Sequence, residues 1–188
     1  MIRFWQREHP RPTKGPDVSA TALQVVVTGV SGSGKTTVAR LLAEAVGARL
    51  AEADEFHSRA NIDKMRAGHP LDDQDRAPWL ADIASWLGAR ARAGETAVIT
   101  CSALKRAYRD VLRTAGPGVR FVHLAGPQQV VADRLGGRSG HFMPPELLDS
   151  QYADLEPLGE DEVGTTLDLT LDATTLTAQA CAALGLRP

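Results

Sequence analysis

An α/β fold, in which a mostly parallel sheet is covered by helices on both faces, is what this chain predicts, and three observations carry that expectation. Short apolar runs alternate with helical patterns along most of the sequence. The first run, Leu23-Gln24-Val25-Val26-Val27-Thr28, passes directly into Gly29-Val30-Ser31-Gly32-Ser33-Gly34-Lys35-Thr36, which fits G-x-x-x-x-G-K-[ST] at every fixed position. An amphipathic helical pattern follows at once, with Val38, Leu41, Leu42, Ala45 and Val46 at i, i+3, i+4, i+7 and i+8.

The elements are predicted in order as follows. Leu23 to Thr28 is a buried strand, because Leu and Val dominate it and a glycine ends it. The helix after the glycine-rich loop closes at Gly47. Arg49 to Ala53 is a weaker strand leading into the polar cluster Asp54-Glu55-Phe56-His57, and a short helical piece spans Ile62 to Ala67. After the turn Gly68-His69-Pro70, a longer helix runs from about Arg76 to Arg92 with the stripe Trp79, Leu80, Ile83, Trp86 and Leu87, and Pro78 in its first turn. Thr96 to Thr100 and Val119 to Leu124 are strands, with a helix from Lys105 to Arg113 between them. Gln128 to Leu135 is helical; Gly136-Gly137-Arg138-Ser139-Gly140 then interrupts it as a candidate mobile loop. Pro144 and Pro145 open a further helix, Leu167 to Leu171 alternates as a last strand, and Thr174 caps a closing helix to about Leu184.

Composition bounds the function. A chain of 188 residues with 43% hydrophobic content suits one domain, here residues 21–188, with residues 1–20 expected as a flexible extension that lacks the apolar core of a secretion signal. Lys and Arg number 21 against 23 Asp and Glu, a net charge of −2, so no overall field draws the protein to nucleic acid or anionic lipid. No apolar run approaches the roughly 18 residues a membrane span needs. Cys101 and Cys181 lie far apart and outside any C-x-x-C spacing. A cytoplasmic enzyme for a small molecule is the class these numbers favour.

The glycine-rich loop curls so that backbone N–H groups face a polyphosphate, Lys35 reaches toward the β- and γ-phosphates, and the Thr36 hydroxyl is placed for Mg²⁺. No Asn-Lys-x-Asp segment reads a guanine, and the strand Ala97-Val98-Ile99-Thr100 runs into Cys101-Ser102 without the acid an ATPase motor uses to hold the metal. A small-molecule kinase fits both facts. Asp54 follows the second strand, at the carboxyl edge where open α/β sheets bind ligands. There it can orient a substrate hydroxyl, take its proton, or touch the metal through water, or else serve only as a helix cap. His57 is either a packed histidine or a substrate contact. Lys105, Arg106 and Arg109 open the helix after the third strand, as an anion-binding cluster or an exposed basic face. Arg134 and Arg138 flank the Gly-Gly pair, as phosphate-facing lid cations or solvated arginines.

With the loop, Asp54-Glu55-Phe56-His57, Pro70-Leu71-Asp72-Asp73-Gln74-Asp75-Arg76 with Pro78-Trp79-Leu80, Cys101-Ser102-Ala103-Leu104-Lys105 with Tyr108-Arg109-Asp110, Gly140-His141-Phe142, and Ser150-Gln151 with Leu155-Glu156-Pro157, the chain resembles the gluconate kinases among P-loop small-molecule kinases. It departs from them at Ala53, where glycine is usual, at Ser58, in place of a proline, and at Leu158, in place of a second proline.

The resemblance implies a P-loop NTPase-type α/β/α fold with a five-stranded parallel sheet and a mobile lid. It also implies phosphorylation of the 6-hydroxyl of D-gluconate by ATP with Mg²⁺, and a homodimer. Gly29, Val30, Ser31, Gly32, Ser33, Gly34, Lys35, Thr36, Thr37, Arg134 and Arg138 would then hold ATP. Asp54, His57, Lys105, Arg109 and His141 would surround gluconate, and Lys35, Asp54 and Arg138 would carry catalysis. A shikimate-kinase-like enzyme for another small hydroxy acid is the alternative.

Overall fold

The computed structural model describes residues 22–136 and 145–187. Five strands, β1 (Gln24–Thr28), β2 (Arg49–Glu52), β3 (Ala97–Thr100), β4 (Val119–Ala125) and β5 (Gly164–Asp168), form one sheet in the order β2-β3-β1-β4-β5. Every pairing is parallel. Parallel strands need crossovers, and the helices α1 (Lys35–Val46), α2 (Arg59–Arg66), α3 (Asp73–Arg92), α4 (Arg106–Arg113), α5 (Gln128–Gly136) and α6 (Pro145–Asp154) lie along the connections, while α7 (Ala173–Leu184) follows β5.

Because side chains alternate across a strand, a central strand buried on both faces must be apolar throughout. Val25 and Val27 point into one core with Val38 and Leu42 of α1, Val122, Leu124, Leu169 and Leu176. Val26 points into the other, with Ile83 and Leu87 of α3, Ile99, Leu112 and Phe121. Helices α1 and α7 therefore pack on one face and α3 and α4 on the other.

Several boundaries differ from the sequence-based expectation. Helix α3 starts at Asp73, because Asp72 and Asp75 form a capping box in which each side chain accepts from the other residue's backbone N–H. Pro78 is thus the sixth residue of α3, beyond the first turn, and the hydrogen bond back to Gln74 is not made. The last strand spans Gly164–Asp168 in place of Leu167 to Leu171: Leu169 pairs once more with Ala125, and Leu171 turns back onto Asp168. Asp172, not Thr174, caps α7 by accepting from the Thr175 N–H. Ser58, the departure from the family proline, caps α2 by accepting from the Asn61 N–H.

Among the described residues no helix is long and apolar enough to cross a membrane. The expected lid, including Arg138 and His141, and the expected N-terminal extension lie outside the described residues.

Candidate functional site

The carboxyl ends of β1, β2 and β3 open onto one edge of the sheet, and β1 delivers the loop 29–34 there. The loop's backbone comes closer to its neighbours than a side chain allows. A Cβ on Gly29, whose φ is +141°, would stand 2.7 Å from the Leu124 carbonyl oxygen, and one on Gly32 would stand 2.8 Å from Leu135 Cγ. Two contacts hold the loop's shape: the Ser33 N–H donates to the Val30 carbonyl at 3.2 Å, and the Gly29 N–H donates to Ser102 at 3.4 Å. Thr36 and Thr37, in the first turn of α1, are exposed.

Lys35 folds its ammonium back under the loop and donates to the Val30 carbonyl at 2.8 Å. Burial lowers its pKa to about 8, against the pull of Asp54 and Glu52. Cys101 stands beside it, but burial pushes that thiol up to about 12, so it carries no charge at neutral pH. The carboxylates are the negative partners of Lys35.

Asp54 is exposed on a 3-10 turn, Ala53–Phe56, directly after β2. Its charge favours the protonated forms of both Lys35 and His57. The His57 ring stacks on Trp79 with centroids 4.5 Å apart and planes 13° from parallel. Trp79 is fixed in turn by donating its indole N–H to the Ala53 carbonyl at 2.7 Å. Burial lowers the pKa of His57, with the Arg76 charge in the same direction and Asp54 opposing. The Nδ1 atom of this neutral imidazole is buried and has no hydrogen-bond partner among the described residues. A buried polar atom without a partner calls for one that the described residues do not supply.

Lys105 lies at the start of α4, its ammonium 3.7 Å from both Asp73 and Asp154 and 5.6 Å from the centre of the Tyr108 ring. Arg76 donates to the Tyr108 hydroxyl at 2.9 Å, and it is the guanidinium close enough to act on His57. Arg106 forks onto Asp161.

Arg109 is a correction. Expected on substrate, it is 1% exposed and locked against Glu162, at 2.6 Å from Nε and 2.8 Å from Nη2. Its remaining donors serve the carbonyls of Ala103, Leu104, Glu156 and Pro157 at 3.0 to 3.3 Å. With every donor group engaged inside the protein, none is left for a ligand. The clamp holds the loop after β3 in shape: Ala103 has φ +36°, unusual for a residue with a Cβ.

Arg134, in the last turn of α5, gives one guanidinium nitrogen to the Leu169 carbonyl at 2.7 Å. The neighbouring Leu135 packs against Gly32, which brings the end of α5 alongside the loop. Two further contributors are marked in the sequence only as members of a motif: Arg76, and Gln151 of α6, which accepts from the Ser31 N–H at 2.7 Å.

ATP and Mg²⁺ fit what is present. Gly34, with open space where a Cβ would stand, leaves its backbone accessible to a phosphate oxygen, and Lys35 has an acceptor that a phosphate can replace. Among the described residues no group of three or more His, Cys, Asp or Glu is placed to hold a metal, and the exposed Thr36 offers one hydroxyl beside the loop.

Comparison with known proteins bears on this geometry. The family described as "AAA domain" matches residues 25–158. The gluconokinase of Gluconobacter oxydans is 53% identical over 138 residues, covering 73% of this chain and 78% of its own. The crystal structure of a sugar kinase from Janibacter superposes with a TM-score of 0.83 at 53% identity, covering 88% of this chain and 95% of its own. A gluconokinase structure from Sinorhizobium meliloti gives 0.80 at 43% identity, covering 88% and 93%.

Proposed function

The chain belongs to the gluconokinase family of P-loop kinases, and from that premise we propose that it transfers the γ-phosphoryl group of ATP to the 6-hydroxyl of D-gluconate. One observation carries the reading at the level of residues: the turn bearing Asp54 and His57 follows β2 and Lys35 follows the loop after β1, so both stand at the carboxyl edge of the sheet, where an acceptor hydroxyl and a triphosphate would meet.

In this mechanism the loop's N–H groups and Lys35 cradle the phosphates, and Thr37 closes the set at the first turn of α1. Bound with the triphosphate and held by Thr36, Mg²⁺ supplies charge neutralisation. Asp54 accepts the hydrogen bond of the 6-hydroxyl and aims its oxygen at the γ-phosphorus. As that oxygen bonds to phosphorus, the bond to the β–γ bridging oxygen breaks and ADP leaves. The hydroxyl proton passes to Asp54. Alignment matters more than a strong base, because the transition state is loose. His57 offers Nδ1 to a second sugar hydroxyl. Arg76 and Lys105, in place of Arg109, supply the positive charge for the sugar acid's carboxylate. Arg134 lies beside the loop, with Arg138 and His141 completing the site as lid contributors.

The site serves a cytoplasmic enzyme that works as a homodimer, a state that light scattering of the purified protein measures directly. A coupled ADP-release assay across D-gluconate, other sugar acids and shikimate tests the substrate. Turnover on gluconate with 6-phosphogluconate as product is expected; turnover on shikimate with none on gluconate overturns the proposal.

A further inference from the structure

The turn that carries Asp54 has little support of its own. It follows β2, an edge strand of four residues hydrogen-bonded to β3 on one side. It is a single 3-10 turn, and its closing hydrogen bond, from the His57 N–H to the Asp54 carbonyl, is long at 3.4 Å. Asp54 is exposed and its side chain is short, so the backbone of this turn decides where the carboxylate points.

One side chain supplies what the turn lacks. Trp79, in the second turn of α3 and 6% exposed, donates its indole N–H to the Ala53 carbonyl at 2.7 Å, a buried bond one residue before Asp54. The same ring stacks on His57, three residues after Asp54, with centroids 4.5 Å apart. Both ends of the turn therefore rest on one rigid indole. Trp86, two helical turns along α3, meets Phe56 edge-on at 6.1 Å and extends the same support. Ala53, where the family usually carries glycine, has no positive φ, and it packs in the core that holds Trp79. An alanine has fewer backbone states than a glycine, which again favours one shape of the turn.

We infer that Trp79 is the positioning residue for Asp54: it holds the turn so that the carboxylate meets the acceptor hydroxyl, and the rate of phosphoryl transfer depends on its indole N–H. The inference rests on the reading of Asp54 as the group that aligns that hydroxyl. In this role Trp79 touches no reacting atom and moves no proton; its effect reaches the reaction through Asp54. Misplacing a reacting group by about 1 Å can cost about 10²-fold in rate, so the loss of one buried anchor of the turn becomes measurable as a rate.

The test is single-turnover phosphoryl transfer from ATP to D-gluconate by the full chain, with Trp79→Phe made in the wild-type and Asp54→Asn backgrounds. A second replacement, the benzothiophene isostere of tryptophan at position 79, exchanges the N–H for sulfur and keeps the shape of the ring, so it removes the donor alone. Thermal melts check that each protein is folded. Both replacements should slow transfer about tenfold in wild type and by less than about twofold in Asp54→Asn, with the affinity for an ATP analogue unchanged. A role in stability alone lowers the melting temperature and leaves the rate of the folded protein as it was. Transfer that the isostere leaves unchanged, or slows equally in both backgrounds, overturns this inference while the role of Asp54 stands. If Asp54→Asn transfers as fast as wild type, that role falls and the inference with it. No transfer to gluconate by wild type overturns both the inference and the proposed function.

Discussion

Replacing Glu162 by Gln leaves the Arg109 charge in place and removes its counter-charge. The Glu162 side chain is 0% exposed and that of Arg109 is 1%, so water cannot compensate. The two carboxylate oxygens accept from Arg109 at 2.6 and 2.8 Å and from the Gly159 N–H at 2.9 Å; the amide keeps one uncharged oxygen and turns the other position into a donor facing N–H groups. Breaking one side of such a buried pair costs about 3–5 kcal/mol, against a total stability of about 5–15 kcal/mol. At about 2–4 °C per kcal/mol for a chain of this size, the melting temperature should fall by roughly 6–20 °C. Urea unfolding of wild type and Glu162→Gln measures this directly, with unchanged m-values confirming that the same transition is compared. A loss below about 1 kcal/mol would refute the argument, since that is the worth of a solvent-exposed pair. The double variant Arg109→Met with Glu162→Leu sharpens the test. Apolar replacement often rescues a buried ion pair, yet here four backbone carbonyls lose their donor, so no rescue is expected.

Asp54→Asn should lower kcat by about 10²-fold or more while the protein stays folded, and a kcat within a few-fold of wild type removes both the orienting and the proton-accepting role. Lys35 loses its charge as the pH rises through about 8, so the affinity for an ATP analogue should be level below that pH and weaken by up to about tenfold per unit above it. Affinity that stays level to pH 9.5 contradicts that assignment. His123, buried on β4 and further disfavoured as a cation by Arg109, has its pKa lowered to about 4. Between its ordinary value of 6.5 and that value the unfolded chain binds the extra proton and the folded chain does not, so stability falls as the pH drops. The loss amounts to something on the order of 3 kcal/mol by pH 4, and His123→Gln should remove this slope in urea unfolding measured from pH 7 to 4.

The central strands were legible because burial on both faces forces an apolar run, and β1, β3 and β4 were placed to within a residue or so. The edge strand β5 was displaced by three residues. It reads Gly-Thr-Thr-Leu-Asp with mostly accessible side chains, while Leu169, fully buried just past its end, drew the apolar pattern forward. The start of α3 was missed because the capping box lies in a polar stretch, Asp72 to Asp75, that looks like a loop until its reciprocal hydrogen bonds are seen. At the site, the loop and Asp54 follow from local spacing. Arg109 does not: a cation in a Lys-Arg-x-x-Arg run reads as surface, and its burial depends on Glu162, 53 positions later. Gln151 likewise meets Ser31 across 120 positions: the Ser150-Gln151 motif marks the residue, but not the loop it touches.

The stacking of His57 on Trp79 has a spectroscopic consequence. An imidazole in contact with an indole quenches its emission far more when protonated than when neutral, as His57 is here, and these rings lie 4.5 Å apart, with Trp79 only 6% exposed. Any ligand that engages Nδ1 of His57 alters the proton affinity or tilt of the quencher and so changes the emission of Trp79. The acceptor pocket therefore carries its own fluorophore, and occupancy by a sugar acid becomes readable in the unlabelled protein without turnover or a coupling enzyme.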